Sequence, residues 1–171
     1  MSQKEIELLF NQLDASVQLL RKELDISYLE ALSETGENIL VNKIPNQIDG
    51  FPSDEIVGKL TQLYKEVSIE SMESEDIRKA IQLALLKASK TDALQPNHQM
   101  TPDAIGFILN YLIEKLISGK LEGIRLLDPA VGMGNLLSTV YNGLVSKNIM
   151  VEAEGIDNDD LLLTLSSVST T

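Results

Sequence analysis

The 171-residue sequence has no cysteine and a single histidine, His98. The first absence excludes a disulfide framework, a cysteine nucleophile and any thiolate metal site. One imidazole is too few for a zinc centre. No stretch approaches the roughly 20 apolar residues that span a bilayer. The N-terminus, MSQKEIELLF, is charged at its start and lacks the apolar core of a signal peptide. We therefore expect no membrane contact and a cytoplasmic location. Basic charge is also scarce. Lys and Arg number 10 against 16 Asp and Glu in residues 1–90, and 4 against 10 in residues 91–171, so each half contributes −6 to the net charge of −12. Gripping a phosphate backbone requires a basic surface that releases counterions. Neither half offers one, and this acidic chain is not expected to hold nucleic acid by itself. The apolar fraction of 43% does suffice for a core, in one ordinary domain or two small ones.

The first half reads as helices. Ile6, Leu9, Phe10, Leu13, Val17, Leu20 and Leu24 recur at spacings of three and four, placing them on one helical face. This helix is expected to run to about Leu32 and to stop before Gly36. Asn38 to Pro52, with two prolines and a glycine, reads as a connector in which Ile39-Leu40-Val41 forms a small strand or a packed loop. A second helix is expected from near Ser53, its first-turn Asp54 and Glu55 suiting the helix dipole, and a third from near Ser74. Thr91 to Met100 is polar, and a domain boundary is placed here, with an acidic helical domain over residues 1–92 and a second domain over 93–171. Thr101-Pro102-Asp103 opens a fourth helix with a capping residue, a proline suited to the first turn and an acid at the positive end. Ile105, Ile108, Leu109, Leu112, Ile113 and Leu116 are expected to form its buried face.

Beyond Gly123 the pattern changes. Ile124 to Asp128 reads as a strand ending in a carboxylate, Pro129 to Gly134 as a glycine turn, and Asn135 to about Ser146 as a helix. Met150 to Ile156 reads as a second strand, followed by Asp157 and one more helix over 158–168. Strand, turn, helix, strand is a βαβ unit and implies a parallel sheet. The expected class is α/β, a helical N-terminal domain followed by the start of a Rossmann-like sheet. Doubly wound domains have about five strands or more, so the sheet looks cut short after its second strand.

The segment Asp128-Pro129-Ala130-Val131-Gly132-Met133-Gly134-Asn135 carries the chemistry. Glycines let the backbone turn sharply and approach a ligand, the following helix offers free N–H groups, and the strand tips border the usual ligand crevice of an open α/β sheet. Asp157, 23 residues beyond Gly134, is placed to accept hydrogen bonds from ribose hydroxyls. A nucleoside-containing ligand across the strand tips is expected. A dinucleotide fingerprint requires a third small residue, where Leu137 stands instead, and there is no phosphate-binding P-loop motif. An acid just before the turn suits a cationic ligand end better than a pyrophosphate. The Asp157, Asp159 and Asp160 cluster is not read as a metal site: Asp159 and Asp160 are expected in the first turn of the last helix, where its dipole favours acids. His98 is read as a polar loop residue.

DPAVGMGNLL, residues 128–137, resembles the first cofactor motif of class I S-adenosylmethionine-dependent methyltransferases, in the form found in adenine-type DNA methyltransferases. Gly155-Ile156-Asp157-Asn158-Asp159 is similar to their second motif. Asn97-His98-Gln99-Met100-Thr101-Pro102 resembles the motif that precedes the first strand in one group of them. The match covers about residues 95–168. The resemblance implies S-adenosylmethionine as cofactor. It puts Asp128 and the backbone around Ala130 and Gly132 at the methionine part, Thr101 with the Gln99 and Met100 backbone at its carboxylate, Asp157 on the ribose, Asn158 beside the adenine, and Asn135 at the start of the helix beneath, with Pro129 and Gly134 of the same motif also cofactor-binding.

Members that methylate an exocyclic amine carry an Asn/Asp/Ser-Pro-Pro-aromatic motif after the fourth strand. The five prolines here include no adjacent pair. Methyl transfer depends on positioning, so this chain is expected to be inactive alone. No residue of this chain is expected to be catalytic, and a nucleic-acid substrate is expected only of the full-length protein. Two alternatives stand: an NAD-binding dehydrogenase fragment, and a non-catalytic protein-interaction module with a vestigial pocket. Open sheet edges and an uncovered apolar sheet face are expected to favour a homodimer, through them or through the helical domain.

Overall fold

The computed structural model describes residues 3–45, 50–67, 73–92, 98–117 and 123–169. The chain forms two compact units, Met1–Leu94 and Gln95–Thr171.

The first unit holds helices α1 (Gln3–Leu24), α2 (Tyr28–Val41), α3 (Asp54–Glu66) and α4 (Ser74–Thr91). Helix α1 packs against the other three. Of its expected stripe Leu9, Leu13, Val17 and Leu20 are buried while Ile6, Phe10 and Leu24 are half-buried; Leu29 and Leu32 of α2, Leu60 of α3, and Ile77, Ile81 and Leu85 of α4 complete the core. Each such side chain contributes about 1.5–3 kcal/mol on burial.

The single helix expected up to Leu32 is two. Asp25 adopts a left-handed conformation (φ 51°), and Ser27 starts α2 with a capping box. Its hydroxyl oxygen accepts from the Glu30 N–H, while the Ser27 N–H donates to the Glu30 carboxylate at 2.8 Å. Asp92 adds to this start, accepting the N–H groups of Tyr28 (3.2 Å) and Leu29 (2.9 Å). Gly36 does not stop the helix; it is buried within α2, which ends instead at left-handed Asn42 (φ 50°). Ile39-Leu40-Val41 is therefore the last turn of α2 and not a strand. Behind the α1–α2 corner, the Tyr28 hydroxyl donates to Asp14 (2.7 Å), and the Lys87 ammonium spans both Asp14 oxygens (2.7 and 2.8 Å).

The second unit runs α5 (Asp103–Ile117), β1 (Ile124–Asp128), α6 (Asn135–Val145), β2 (Val151–Gly155) and α7 (Asp160–Ser169). The two strands are parallel, in register from Ile124↔Val151 to Asp128↔Gly155, and form the sheet among the described residues. This is an α/β architecture with a helical N-terminal domain, as the sequence pattern requires.

Two expectations about surfaces are corrected. Helix α5 turns Gly106 and Asn110 inward, while Ile105, Ile108, Leu112 and Leu116 are exposed. The reason is close packing on α6. A Cβ at Gly106 would stand 2.5 Å from a Thr139 methyl, and one at Gly143 would stand 2.1 Å from the Asn110 amide. The Asn110 side chain also donates to the Thr139 carbonyl at 3.0 Å. Two helices that meet through small residues leave their larger apolar residues to the flanks. The exposed sheet positions are also less apolar than expected: Arg125, Leu127, Glu152, Ala153 and Glu154, with Arg125 and Glu152 paired across the strands at 3.2 Å.

Candidate functional site

The turn after β1 is shaped by its own backbone. The Asp128 carboxylate accepts the Ala130 N–H (3.1 Å), an Asx-type turn that folds the chain back at the strand tip. The Val131 N–H then reaches the Ile156 carbonyl (2.9 Å) and the Ile156 N–H reaches the Asp128 carbonyl (2.8 Å), so the turn is stitched to the end of β2. Gly132 (φ 54°) and Gly134 (φ 79°) both take left-handed conformations, which glycine adopts without penalty. Gly134 is the N-cap of α6.

A pocket of about 280 Å³ lies at these strand tips. One wall is the turn, with Ala130, Val131, Gly132, Met133, Asn135 and Leu136. A second is the end of β2 and the start of α7, with Asp157, Asn158 and Leu162. A third is Gln99, Met100 and Thr101. A Cβ placed on Gly132 would meet no atom within 4 Å; the backbone there borders open space.

Asp157 joins two of the walls. Its carboxylate accepts the Gly132 N–H at 2.9 Å and the Asp159 N–H at 3.1 Å. The Gly132 bond, above all, holds its pKa below the usual carboxylate value, with the Asp159 and Asn158 N–H groups adding to it against the cost of burial. A carboxylate has about four acceptor positions, so capacity is left for a ligand hydroxyl. Asn135, the first residue of α6, sits beneath. Its buried side-chain amide donates to the Thr101 carbonyl (2.6 Å) and to Asp103 (3.0 Å), which anchors the third wall to the turn.

Of the residues singled out in the sequence, Gln99, Met100, Thr101, Ala130, Gly132, Asn135, Asp157 and Asn158 line one pocket. Asp128, Pro129 and Gly134 are not among its lining; Asp128 and Gly134 shape the turn through the Ala130 N–H bond and the left-handed backbone. Val131, Met133, Leu136 and Leu162 line it without having been singled out; in sequence they carry only the signal of apolar residues beside the motif. Among the described residues no group of three or more His, Cys, Asp or Glu side chains could hold a metal ion. Nor is any described helix long and apolar enough to cross a membrane.

The arrangement offers what a neutral or cationic nucleoside needs: a backbone that allows close approach, an ionised acceptor at a strand tip and a partly apolar lining. The volume is near the lower end of ligand pockets, roughly 300–1,000 Å³, so these walls enclose part of a nucleoside-sized ligand.

Comparison with known proteins gives three likenesses. Residues 7–89 match the family described as the YtxK N-terminal helical domain. The chain is 39% identical over 166 residues to the uncharacterized protein YtxK of Bacillus subtilis strain 168, covering 97% of this chain and 49% of that protein. It also superimposes, with a TM-score of 0.84 and 43% identity, on the crystal structure of a Listeria monocytogenes protein provisionally assigned to the class I S-adenosylmethionine-dependent methyltransferases, over 98% of this chain and 50% of that one. The chain thus spans about half the length of the relatives it matches, and its fold is methyltransferase-like with a helical N-terminal domain.

Proposed function

We propose that this chain supplies the S-adenosylmethionine-binding part of a class I methyltransferase, with adenine in DNA as the methyl acceptor. The observation that carries the cofactor assignment is the pocket at the two parallel strand tips, where the Asp157 carboxylate and the Gly132 backbone face one another. The likeness to the Listeria protein supports the same reaction class. The adenine assignment rests on the resemblance of residues 128–137 to the adenine-type motif.

The bound cofactor would supply a methyl group activated on a sulfonium sulfur. This chain's residues bind and orient it. Gly132 keeps the floor free of side chain, and Asp157 has acceptor capacity for the ribose hydroxyls. Thr101 and its neighbours face the amino-acid end, with Asn158 beside the adenine. The pocket encloses only part of such a ligand, and the sequence lacks paired prolines; the acceptor-positioning residues are accordingly assigned to protein outside this chain. In this reading nucleic acid meets that other part, since this one is acidic throughout, and the protein works in the cytoplasm. A homodimer through the helical domain or through the edges of the two-stranded sheet is proposed as well, and sedimentation velocity that finds only monomer refutes it.

Isothermal titration of the chain with S-adenosylmethionine and with NAD tests the cofactor. Binding of the first alone is expected. Leu137, buried where a dinucleotide site needs a small residue, disfavours the second. NAD binding without S-adenosylmethionine binding overturns the proposal.

A further inference from the structure

The chain's one histidine stands immediately before the third wall of the pocket. The His98 Nε2 lies 3.2 Å from the Asp159 carboxylate, and its side chain is only 11% exposed. A carboxylate only accepts, so the imidazole must donate. The other Asp159 oxygen accepts the N–H groups of Leu161 (3.0 Å) and Leu162 (3.3 Å) at the start of α7, which fixes that carboxylate. The Asp159 N–H donates to Asp157, and Asp157 accepts from Gly132. On the other side Asn135 holds the Thr101 carbonyl. Hydrogen bonds thus link His98 to Asp159, Asp159 to Asp157 and Asp157 to the glycine turn, and Asn135, three residues along the backbone from Gly132, links the turn to Thr101. Gln99, Met100 and Thr101 are held at both ends, by His98 before them and by Asn135 at the Thr101 carbonyl.

We propose that His98 is a positioning residue for this site: its bond to Asp159 fixes the Gln99–Thr101 wall against the β2–α7 wall, and so sets affinity for the amino-acid end of the ligand. This deepens the S-adenosylmethionine reading and rests on it. His98 touches no ligand in this account. It acts through the backbone of the three residues that follow it, while Asp157 keeps its own contacts with the turn.

The role is separable from general support of the fold because it is confined to one end of the ligand. 5′-Methylthioadenosine shares the adenine, ribose and sulfur of S-adenosylmethionine and lacks the amino-acid end. In His98→Ala, affinity for S-adenosylmethionine is expected to fall roughly tenfold, the scale of one lost hydrogen bond, and affinity for methylthioadenosine by less than about threefold. His98→Gln puts an amide N–H within reach of Asp159 and is expected to restore S-adenosylmethionine binding to within about threefold of the wild type. His98→Asn, whose amide stops short, serves where the alanine variant does not fold. Equal losses for both ligands, or no rescue by glutamine, overturn the inference. A ligand-free reading stands beside these. Amide order parameters at Gln99, Met100 and Thr101 are expected near the rigid value of about 0.85 in the wild type, to drop in His98→Ala, and to recover in His98→Gln. Unchanged values in His98→Ala overturn the wall-fixing role. Wild-type chain that binds no S-adenosylmethionine overturns the cofactor assignment instead, and the two failures are thereby told apart.

Discussion

Replacing Gly132 by alanine separates the pocket from the fold around it. Gly132 has φ 54°, and a Cβ there would meet nothing within 4 Å. The added methyl therefore clashes with no protein atom, and its cost to folding is backbone strain alone, about 1–2 kcal/mol for a non-glycine residue in the left-handed region. For a unit of this size that lowers Tm by roughly 4–8 °C per kcal/mol. The same methyl stands in the space a ligand would fill. Crowding of one carbon into a packed contact costs about 1–3 kcal/mol, a fall in affinity of roughly five- to 150-fold. Gly143→Ala is the control. Its Cβ would lie 2.1 Å from the Asn110 amide in the α5–α6 contact. It should cost about 1–3 kcal/mol of stability by overpacking and leave the affinity of the folded protein unchanged. Thermal unfolding by circular dichroism and titration calorimetry with S-adenosylmethionine on both variants measure the four quantities. A Gly132→Ala protein that binds as tightly as the wild type shows that the space beside Gly132 is not the ligand's, and the reasoning fails.

Asp157 gives a pH-dependent prediction. Its folded pKa is depressed, so the native state binds fewer protons than the unfolded chain between the two values. Its contribution is present above the unfolded value of about 3.9 and is lost as pH falls through the lower folded value. In urea titrations the stability gap between wild type and Asp157→Asn should narrow steadily as pH drops below about 4; a gap that widens there contradicts the assignment. Ser27→Ala removes the side-chain half of the α2 capping box and should cost about 0.5–2 kcal/mol in urea unfolding, and a smaller loss means that Asp92 alone caps the helix. Tyr28→Phe deletes the hydroxyl that donates to Asp14 while Lys87 stays paired with that carboxylate. The loss should be about 1.5–3 kcal/mol, the range for a bond to a charged group, and a neutral result in the same assay refutes it.

The βαβ unit could be read from the sequence because each of its signals is local. The strand Ile124–Asp128, the glycine turn and the helix from Asn135 announce themselves within a few residues, and the structure places them there. The break between α1 and α2 was hidden by the apolar stripe, which continues from Leu20 and Leu24 into Leu29 and Leu32 with little change of period. Its one local trace is Ser27 with Glu30 three residues on, the spacing of a capping box. Helix α5 misled for a different reason. Its large apolar residues suggested the buried face, yet contact is decided by what lies opposite, and Thr139 and Gly143 admit only Gly106 and Asn110. The eight motif residues that line one pocket lie in compact motifs, so their grouping is legible from short stretches of sequence. The bond between His98 and Asp159 joins residues 61 apart, and no spacing rule announces such a pair.

A crystal structure of the chain soaked with S-adenosylhomocysteine tests the central claim most directly. The account predicts the ligand at the two strand tips, its ribose hydroxyls on the Asp157 carboxylate and its amino-acid end between the glycine turn and Thr101. Ligand bound elsewhere on the molecule, or a pocket left empty at saturating concentration, contradicts it.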